Sequence, residues 1–341
     1  MKLKEIAQLA NVSTTTVSRV INGKTHCASE NVRRRIWEIV HESGYVPNPT
    51  ARSLQAIKAL HSADGLINFS CLFTRIENHR QDSFFSAIYD SIQNCVFQKS
   101  GNIVYSVSLA KASGDDMIRL FENVSNIDGY FILGKFNDGH KTFIDSLGKN
   151  LVYVSLNPMN VPIDQVFCNG FDMAFCAVDH LYTLNHRRIG YVGETTDEVR
   201  YSGFLAAAKH YGCQYENWTQ ECELSISAGY SNVLALLKKK QRLPTALFCC
   251  SDNVAFGAIR AIQESGLKVP GDISIISVDN IDMAQHITPS LTCINVPKEE
   301  LGRVATSILI SRIKQGHQLP LKVELPFNIV VRDSCAQVIP D

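Results

Sequence analysis

The chain has no apolar run approaching 18 residues, so no stretch is long enough to cross a bilayer as a helix. It has no CxxC pair. Its eleven cysteines are scattered and odd in number. That is the usage of buried small hydrophobes in a reducing compartment, and it excludes a disulfide framework. The formal net charge is zero, which removes the global bias of a protein that coats nucleic acid or a membrane. No GxGxxG and no GxSxG occurs. Gly129 to Lys135 has Walker A spacing, but its interior reads as a buried strand and Phe136 stands where a magnesium-binding hydroxyl belongs. His180 and His186 lie six apart, a poor spacing for a shared metal, and a surface place is expected for both. No metal, no cofactor and no catalytic residue is therefore expected. The chain runs directly into an amphipathic helix, so neither a secretory leader nor export is expected, and a cytoplasmic location is. The tail from Val331 to Asp341 lacks a leucine heptad, so no coiled-coil extension is expected.

What is present is concentrated near the start. In Ser13-Thr14-Thr15-Thr16-Val17-Ser18-Arg19-Val20-Ile21-Asn22, the apolar residues Val17, Val20 and Ile21 share one helical face. Ser13 is placed to cap it. The remaining groups are hydroxyls, an amide and a guanidinium. Threonine is a mediocre helix former, so three in succession point to a task for the exposed front. Upstream, Ile6, Leu9 and Ala10 give a second amphipathic helix, broken at Asn11-Val12. Helix, tight turn and helix form the motif whose second member enters the DNA major groove. Downstream, Val32, Ile36, Ile39 and Val40 predict a third helix ended by Gly44. Charge distribution agrees. Residues 1–58 carry nine lysines and arginines against four glutamates, a balance of +5 that leaves −5 for the rest. Arg33 to Arg35 read as a solvated face near phosphate.

Residues 48–56 follow, with Asn48 as cap and Pro49 in the first helical position. Ala51, Leu54 and Ala56 offer too little core for an isolated helix of this length. Such a segment forms against a partner, or it is a plain linker.

The text of this region resembles the headpiece of the lactose-repressor family of bacterial transcription regulators. The matching residues are Ile6-Ala7, Ala10, Val12-Ser13, Thr16 through Asn22, Gly44-Tyr45, Pro47-Asn48 and Ala51-Arg52-Ser53-Leu54. The resemblance implies that Thr14, Thr15 and Arg19 read bases, and that Ser13, Thr16, Ser18 and Asn22 hold phosphates. It implies a hinge helix in the minor groove built on Asn48, Ala51 and Leu54, with Leu54 as the wedge at the central step. A lone leucine on a sparse helix is a poor core residue and a workable intercalator. Specific recognition needs roughly 4–10 kcal/mol over non-specific binding. Each base reader supplies about 1–3 kcal/mol, so a homodimer on a palindromic operator is expected.

From residue 66 onward apolar runs alternate with helical patterns. Strands are predicted at 66–73, 103–107, 130–133, 151–154, 189–192, 246–250, 273–278 and 293–296, and a helix at 84–97 with Phe84, Ile88, Ile92 and Val96 on one face. Continuous apolar strands between helices mean parallel sheets covered on both faces, an α/β body. Residues 157–162 offer a crossing between two sheets. The family resemblance, weaker here, implies a periplasmic-binding-protein-like pair of lobes with crossings near 158–162, 291–297 and 317–322. The expected division is a headpiece 1–46, a hinge and linker 47–60, one lobe 61–158 with 297–320, and another 159–296 with 321–341.

In such sheets ligands bind beyond the carboxyl ends of the strands. Arg200 opens a helix just after strand 189–192, where the helix dipole disfavours a cation, and the family's ligand-binding arginine falls there. Asp279, at the end of its strand, is by resemblance the carboxylate that takes ligand hydroxyls. Ser251, Asn253, Lys135 and Phe84 are further candidates, and Asp252 reads equally as a helix cap. Lys298 stands where several relatives carry an aromatic that stacks on the ligand. Arginine, aspartate and amides around a cleft suit vicinal hydroxyls. The expected effector is therefore a sugar acting as inducer; the stretches 130–135 and 246–253 resemble those of family members beside galactosidase genes, which implies a galactoside. A purine co-repressor is the alternative regulator reading. A solute-binding protein or a sugar-modifying enzyme is the alternative of another class.

Overall fold

The computed structural model describes residues 3–21, 28–43, 66–77, 82–112, 126–135, 138–239 and 242–338. The chain divides into two units, Met1–Leu66 and Ile67–Asp341. No described helix is long and apolar enough to cross a membrane.

The first unit contains α1 (Leu3–Ala10), α2 (Thr14–Ile21) and α3 (Glu30–Ser43). Their shared core is Ile6, Ala7, Ala10, Val17, Val20, Ile36 and Val40, with Val12, Val32 and Ile39 against its edge. Ser13 caps α2 as its position predicts: its Oγ accepts the Thr16 N–H at 3.0 Å. Thr14 and Thr15 are exposed in consequence. One expectation fails. Leu9 is 55% exposed and Ala7 takes its place in the core. The buried face is Ile6, Ala7 and Ala10, and the turn that follows has Asn11 at φ 55° and the Val12 N–H donating to the Ala7 carbonyl. Arg35 donates to the Leu9 carbonyl at 3.2 Å, a cation on the last turn of a helix. Asn22, Gly44 and the hinge segment with Asn48, Ala51 and Leu54 lie outside the described residues, as do the side chains of Ser18, Arg19 and Ile21.

The second unit is two six-stranded sheets. One has the order β11-β5-β4-β3-β1-β2, with β1 (Ile67–Phe73), β2 (Gly101–Ser108), β3 (Gly129–Leu133), β4 (Leu151–Ser155), β5 (Asp164–Phe167) and β11 (Lys322–Glu324), all parallel. The other runs β12-β10-β9-β8-β6-β7, with β6 (Ile189–Gly193), β7 (Thr219–Glu221), β8 (Ala246–Cys249), β9 (Ser274–Asp279), β10 (Thr292–Asn295) and β12 (Asn328–Val330). Its strands are parallel except β12, which pairs antiparallel with β10. Central strands are buried along their whole length, as an apolar run covered on both faces requires.

The first crossing lies later than 158–162. Residues 159–163 only lead from β4 into β5 of the same sheet, and the chain leaves that sheet after Phe167. Gln165 explains the misreading. Buried and polar, it accepts the Met159 N–H and donates to the Met159 and Val161 carbonyls, and so folds the Asn-Pro segment back on its own lobe. The second crossing, between Asn295 and Lys298, falls within the expected 291–297 region. The third lies between β11 and β12, at 325–327, rather than at 317–322. Asp164 holds the strand before it: it accepts the Leu321 N–H and pairs with Arg312 and His317.

Helices cover the sheets. On the first lie α4 (Ser83–Gln98), α5 (Asp138–Ser146) and α10 (Lys298–Ile313); on the second lie α6 (Gly170–Thr183), α7 (Val199–Tyr211), α8 (Ile226–Leu237) and α9 (Asp252–Glu264). The core face of α4 is Phe85, Ile88, Ile92 and Val96. Phe84 is half-buried, at the margin of that core and on the wall of the cleft. Gly257 lets α9 press on α8: a Cβ there would meet the Ile226 carbonyl oxygen at 2.1 Å. His186, expected at the surface, is buried. It lies between Thr245 Oγ1 (3.0 Å) and the Ala336 carbonyl (3.1 Å), where it ties the C-terminal segment to the second sheet.

Candidate functional site

In each sheet the strand order reverses once, between β1 and β3 in the first and between β6 and β8 in the second. Loops after these strands splay apart and leave a crevice at their carboxyl ends. The two crevices face one cleft with an empty volume of ≈ 580 Å³. Six side chains expected there from the sequence all line it: Arg200, Asp279, Ser251, Asn253, Lys135 and Phe84.

Arg200 sits in the first turn of α7 and is only 3% exposed. Glu198, the N-cap, neutralises the clash with the helix dipole. It accepts the Arg200 backbone N–H and grips the guanidinium twice, from Nε at 2.7 Å and Nη2 at 3.0 Å. Nη1 donates to the Cys250 carbonyl at 2.7 Å. Burial alone raises the Glu198 carboxyl, but Arg200, with Arg75 behind it, outweighs burial and holds it at about 2. The pair is a fixed plate at the floor of the cleft.

Asp279 ends β9 in the left-handed region, with φ 117°, and Asn280 follows at 52°. Only strong restraint keeps two successive non-glycine residues there. Lys298 supplies it: Nζ donates to the carbonyls of Asp279 (2.5 Å), Asn280 (3.0 Å) and Val296 (3.2 Å). Arg332 donates to the Asn280 amide oxygen and Asp252 accepts the Ile281 N–H. Lys298 thus braces the turn and is not among the residues that line the cleft. Among the described residues no hydrogen bond is made to the Asp279 carboxylate, which is 8% exposed and lines the cleft. Burial, then the nearby Asp252 charge, raises its affinity for a proton well above normal. We expect Lys298→Met to lower the unfolding free energy by about 1–3 kcal/mol, because it orphans buried carbonyls. Urea titration of the variant measures this.

Asp252 is not the cap of α9. Ser251 is, accepting the Val254 N–H. Asp252 is fully buried, takes the Ser277 hydroxyl at 2.6 Å, and burial pushes its carboxyl up to about 6.

Several cleft groups escaped the sequence reading. Arg75 follows β1, the same strand-end position that singled out Arg200, and pairs with Glu194 across the cleft. Asp82 caps α4 through the N–H groups of Phe84 and Phe85, and it also lines the cleft. Asn157 accepts the Val199 N–H at 3.4 Å. Lys135, one of the expected residues, donates to the Thr196 carbonyl at 3.1 Å. Among the described residues no group of three or more histidines, cysteines and carboxylates is placed to hold a metal ion.

The comparisons with known proteins fit this geometry. Residues 2–48 match the model for bacterial regulatory proteins of the lacI family, and residues 178–335 that for a periplasmic binding protein-like domain. The HTH-type transcriptional repressor PurR of Aliivibrio salmonicida (strain LFI1238) is 30% identical, covering 97% of this chain and 98% of that one. The chain belongs to the lacI family. This lacI-family protein is a DNA-binding transcriptional repressor. The PurR repressor of Proteus mirabilis (strain HI4320) is also 30% identical, over 98% of this chain and 96% of its own. Among solved structures the lacI-family chain is similar to the transcriptional regulator CelR–cellobiose complex. That match has 25% identity and a TM-score of 0.71, and it covers 98% of this chain and 99% of that one. The Lac repressor bound to ONPG shares the fold at 23% identity with a TM-score of 0.73, covering the same fractions of both chains.

Proposed function

We propose that this repressor is controlled by a neutral sugar, a galactoside, bound in the cleft as an inducer. The observation that carries the reading is the combination of the Asp279 carboxylate, free to accept hydroxyls, with a cleft whose cations already have internal partners. Arg200 is held by Glu198, Arg75 by Glu194, and Lys135 by a carbonyl. A phosphorylated or carboxylated ligand would have to displace these partners. A ligand of hydroxyls adds to them, as acceptor from a guanidinium edge and donor to the carboxylate. Phe84 and Phe85, edge to face at 5.2 Å, give one wall an apolar surface for the CH face of a pyranose.

On the DNA side the reading assigns base contacts to Thr14, Thr15 and Arg19, and phosphates to Ser13, Thr16, Ser18 and Asn22. The minor-groove hinge is assigned to Asn48, Ala51 and Leu54. The arrangement is a homodimer on a palindrome. The exposure of Thr14 and Thr15 on a capped α2 supports it. The sugar must bind the operator-free state more tightly than the operator-bound state, since equal affinity shifts nothing.

The PurR relatives favour a second reading, a purine that strengthens operator binding. A gel shift on the promoter beside the protein's own gene separates the two. Galactose and lactose are tested against hypoxanthine and guanine. Release by a sugar is the expected result. Tighter binding with a nucleobase and indifference to every sugar would overturn the sugar assignment.

A further inference from the structure

The second sheet separates its charges between its two ends. The segments that lead from a strand into a helix, 194–198, 222–225 and 250–251, hold four acids (Glu194, Asp197, Glu198 and Glu223) and no lysine or arginine. They lie at the carboxyl end of the strands, where the cleft opens. The segments that lead from a helix back into a strand, 184–188, 212–218, 238–245 and 265–273, hold seven lysines and arginines against Glu216 and Asp272. Parallel strands joined by helices gather all of these at the opposite, amino end. The helix dipole accounts for a cation in a last turn, such as Lys209 of α7, but its reach ends within that turn. Arg187 and Arg242 stand four and five residues beyond the ends of α6 and α8.

Three of the basic segments are fastened together. Arg188 Nε donates to the Leu243 carbonyl at 3.3 Å, the Thr245 N–H donates to the Arg188 carbonyl at 2.9 Å, and Trp218 Nε1 donates to the Arg242 carbonyl at 2.9 Å. Arg187 is exposed yet fixed. Its guanidinium lies 3.7 Å from the Tyr182 ring centroid, that ring stacks on Tyr211 at 4.4 Å, and Nη1 donates to the Tyr182 and His186 carbonyls. Lys238, Lys239 and Arg242 are exposed as well, and among the described residues neither they nor Arg187 forms an ion pair. Among the described residues, no exposed large hydrophobic side chain lies in these segments. A protein partner would need apolar anchors at the centre of its footprint, and a lipid surface would need side chains to insert. Held cations without anchors suit a row of phosphates.

We propose that the amino end of the second sheet is a seat for a second duplex, held through its phosphates without regard to sequence. A repressor already anchored on DNA meets neighbouring duplex at high effective concentration, so a weak contact suffices. A bridging assay tests this. A bead-bound duplex and a labelled duplex, neither carrying the operator, are mixed with the full-length protein at about 50 mM salt, and the labelled duplex retained on the beads is measured. The parent is expected to bridge them and to lose the bridge by about 200 mM salt. The variant Lys238→Gln, Lys239→Gln and Arg242→Gln is expected to retain about tenfold less label or lower, since three phosphate contacts are gone. Lys238→Arg with Lys239→Arg is expected to bridge like the parent. Lys111→Gln with Arg260→Gln and Arg303→Gln removes the same charge from exposed positions that are already paired. It too is expected to bridge like the parent. Protein retained on the beads without the labelled duplex overturns the second seat. So does undiminished bridging by the glutamine variant at 238, 239 and 242, or an equal loss in the variant at 111, 260 and 303. Binding to phosphatidylglycerol vesicles in place of bridging would give this face to a membrane surface and overturn the duplex.

Discussion

Arg200→Ala is expected to abolish the response to effector and to destabilise the protein by about 3–5 kcal/mol, the usual result of breaking a buried ion pair from one side. The reason is Glu198. Its carboxylate is buried, and both oxygens are bonded to the guanidinium that the substitution removes. Such a loss is a large share of the roughly 5–15 kcal/mol that holds a folded chain together. The single variant therefore confounds two effects. The double variant Arg200→Met with Glu198→Leu separates them. Apolar residues of similar volume replace the pair, and stability is expected to return to within about 1–2 kcal/mol of the parent. Operator affinity should then be unchanged and release by effector still lost. Recovery of release in the stable double variant would show that the plate at the cleft floor does not touch the effector.

The second large effect is acid instability through His186. Burial lowers its proton affinity to about 4, with Arg187, Arg188 and His180 adding to the shift and the Ala336 carbonyl opposing it. The unfolded ring titrates near 6.5. Between these values the unfolded chain binds a proton that the folded chain refuses. Stability from this group is thus complete above 6.5 and is lost as pH falls toward 4. The expected loss from pH 7 to pH 5 is about 2 kcal/mol from this residue alone, and about 3 kcal/mol once pH 4 is reached. Urea unfolding of the parent and of His186→Gln at both pH values measures it. The glutamine variant should lack that part of the slope. Identical slopes would mean that the ring is protonated in the fold.

Much of this was legible in the sequence because the signals were periodic. Three short helices with apolar faces gave the headpiece, and among the described side chains Leu9 was misplaced, since apolar spacing alone does not separate Ile6, Leu9 and Ala10 from Ile6, Ala7 and Ala10. The long central strands announced themselves as unbroken apolar text. Several shorter, more polar strands did not. β5, β7 and β11 read Asp-Gln-Val-Phe, Thr-Gln-Glu and Lys-Val-Glu, and what places them is pairing with neighbours far along the chain. That hidden pairing also displaced two of the three crossings.

The cleft was found through its strand ends, a rule that needs no contacts. It named Arg200 and Asp279 and overlooked Arg75, which obeys the same rule. Glu198 and Lys298 could not be found that way. Each acts through another residue, one by clamping a guanidinium and the other by holding a left-handed turn, and neither relation is local in the text. Asp252 shows the reverse error: a helix-start aspartate reads as a cap, yet the serine before it caps and the aspartate is an interior acceptor.

The ties across the cleft have a mechanical meaning. Arg75, Lys135 and Asn157 leave different strands of one sheet, yet all three fasten to the short stretch 194–199 of the other. A pair of jaws pinned along one edge swings like a door, least near the pins and most at the opposite lip.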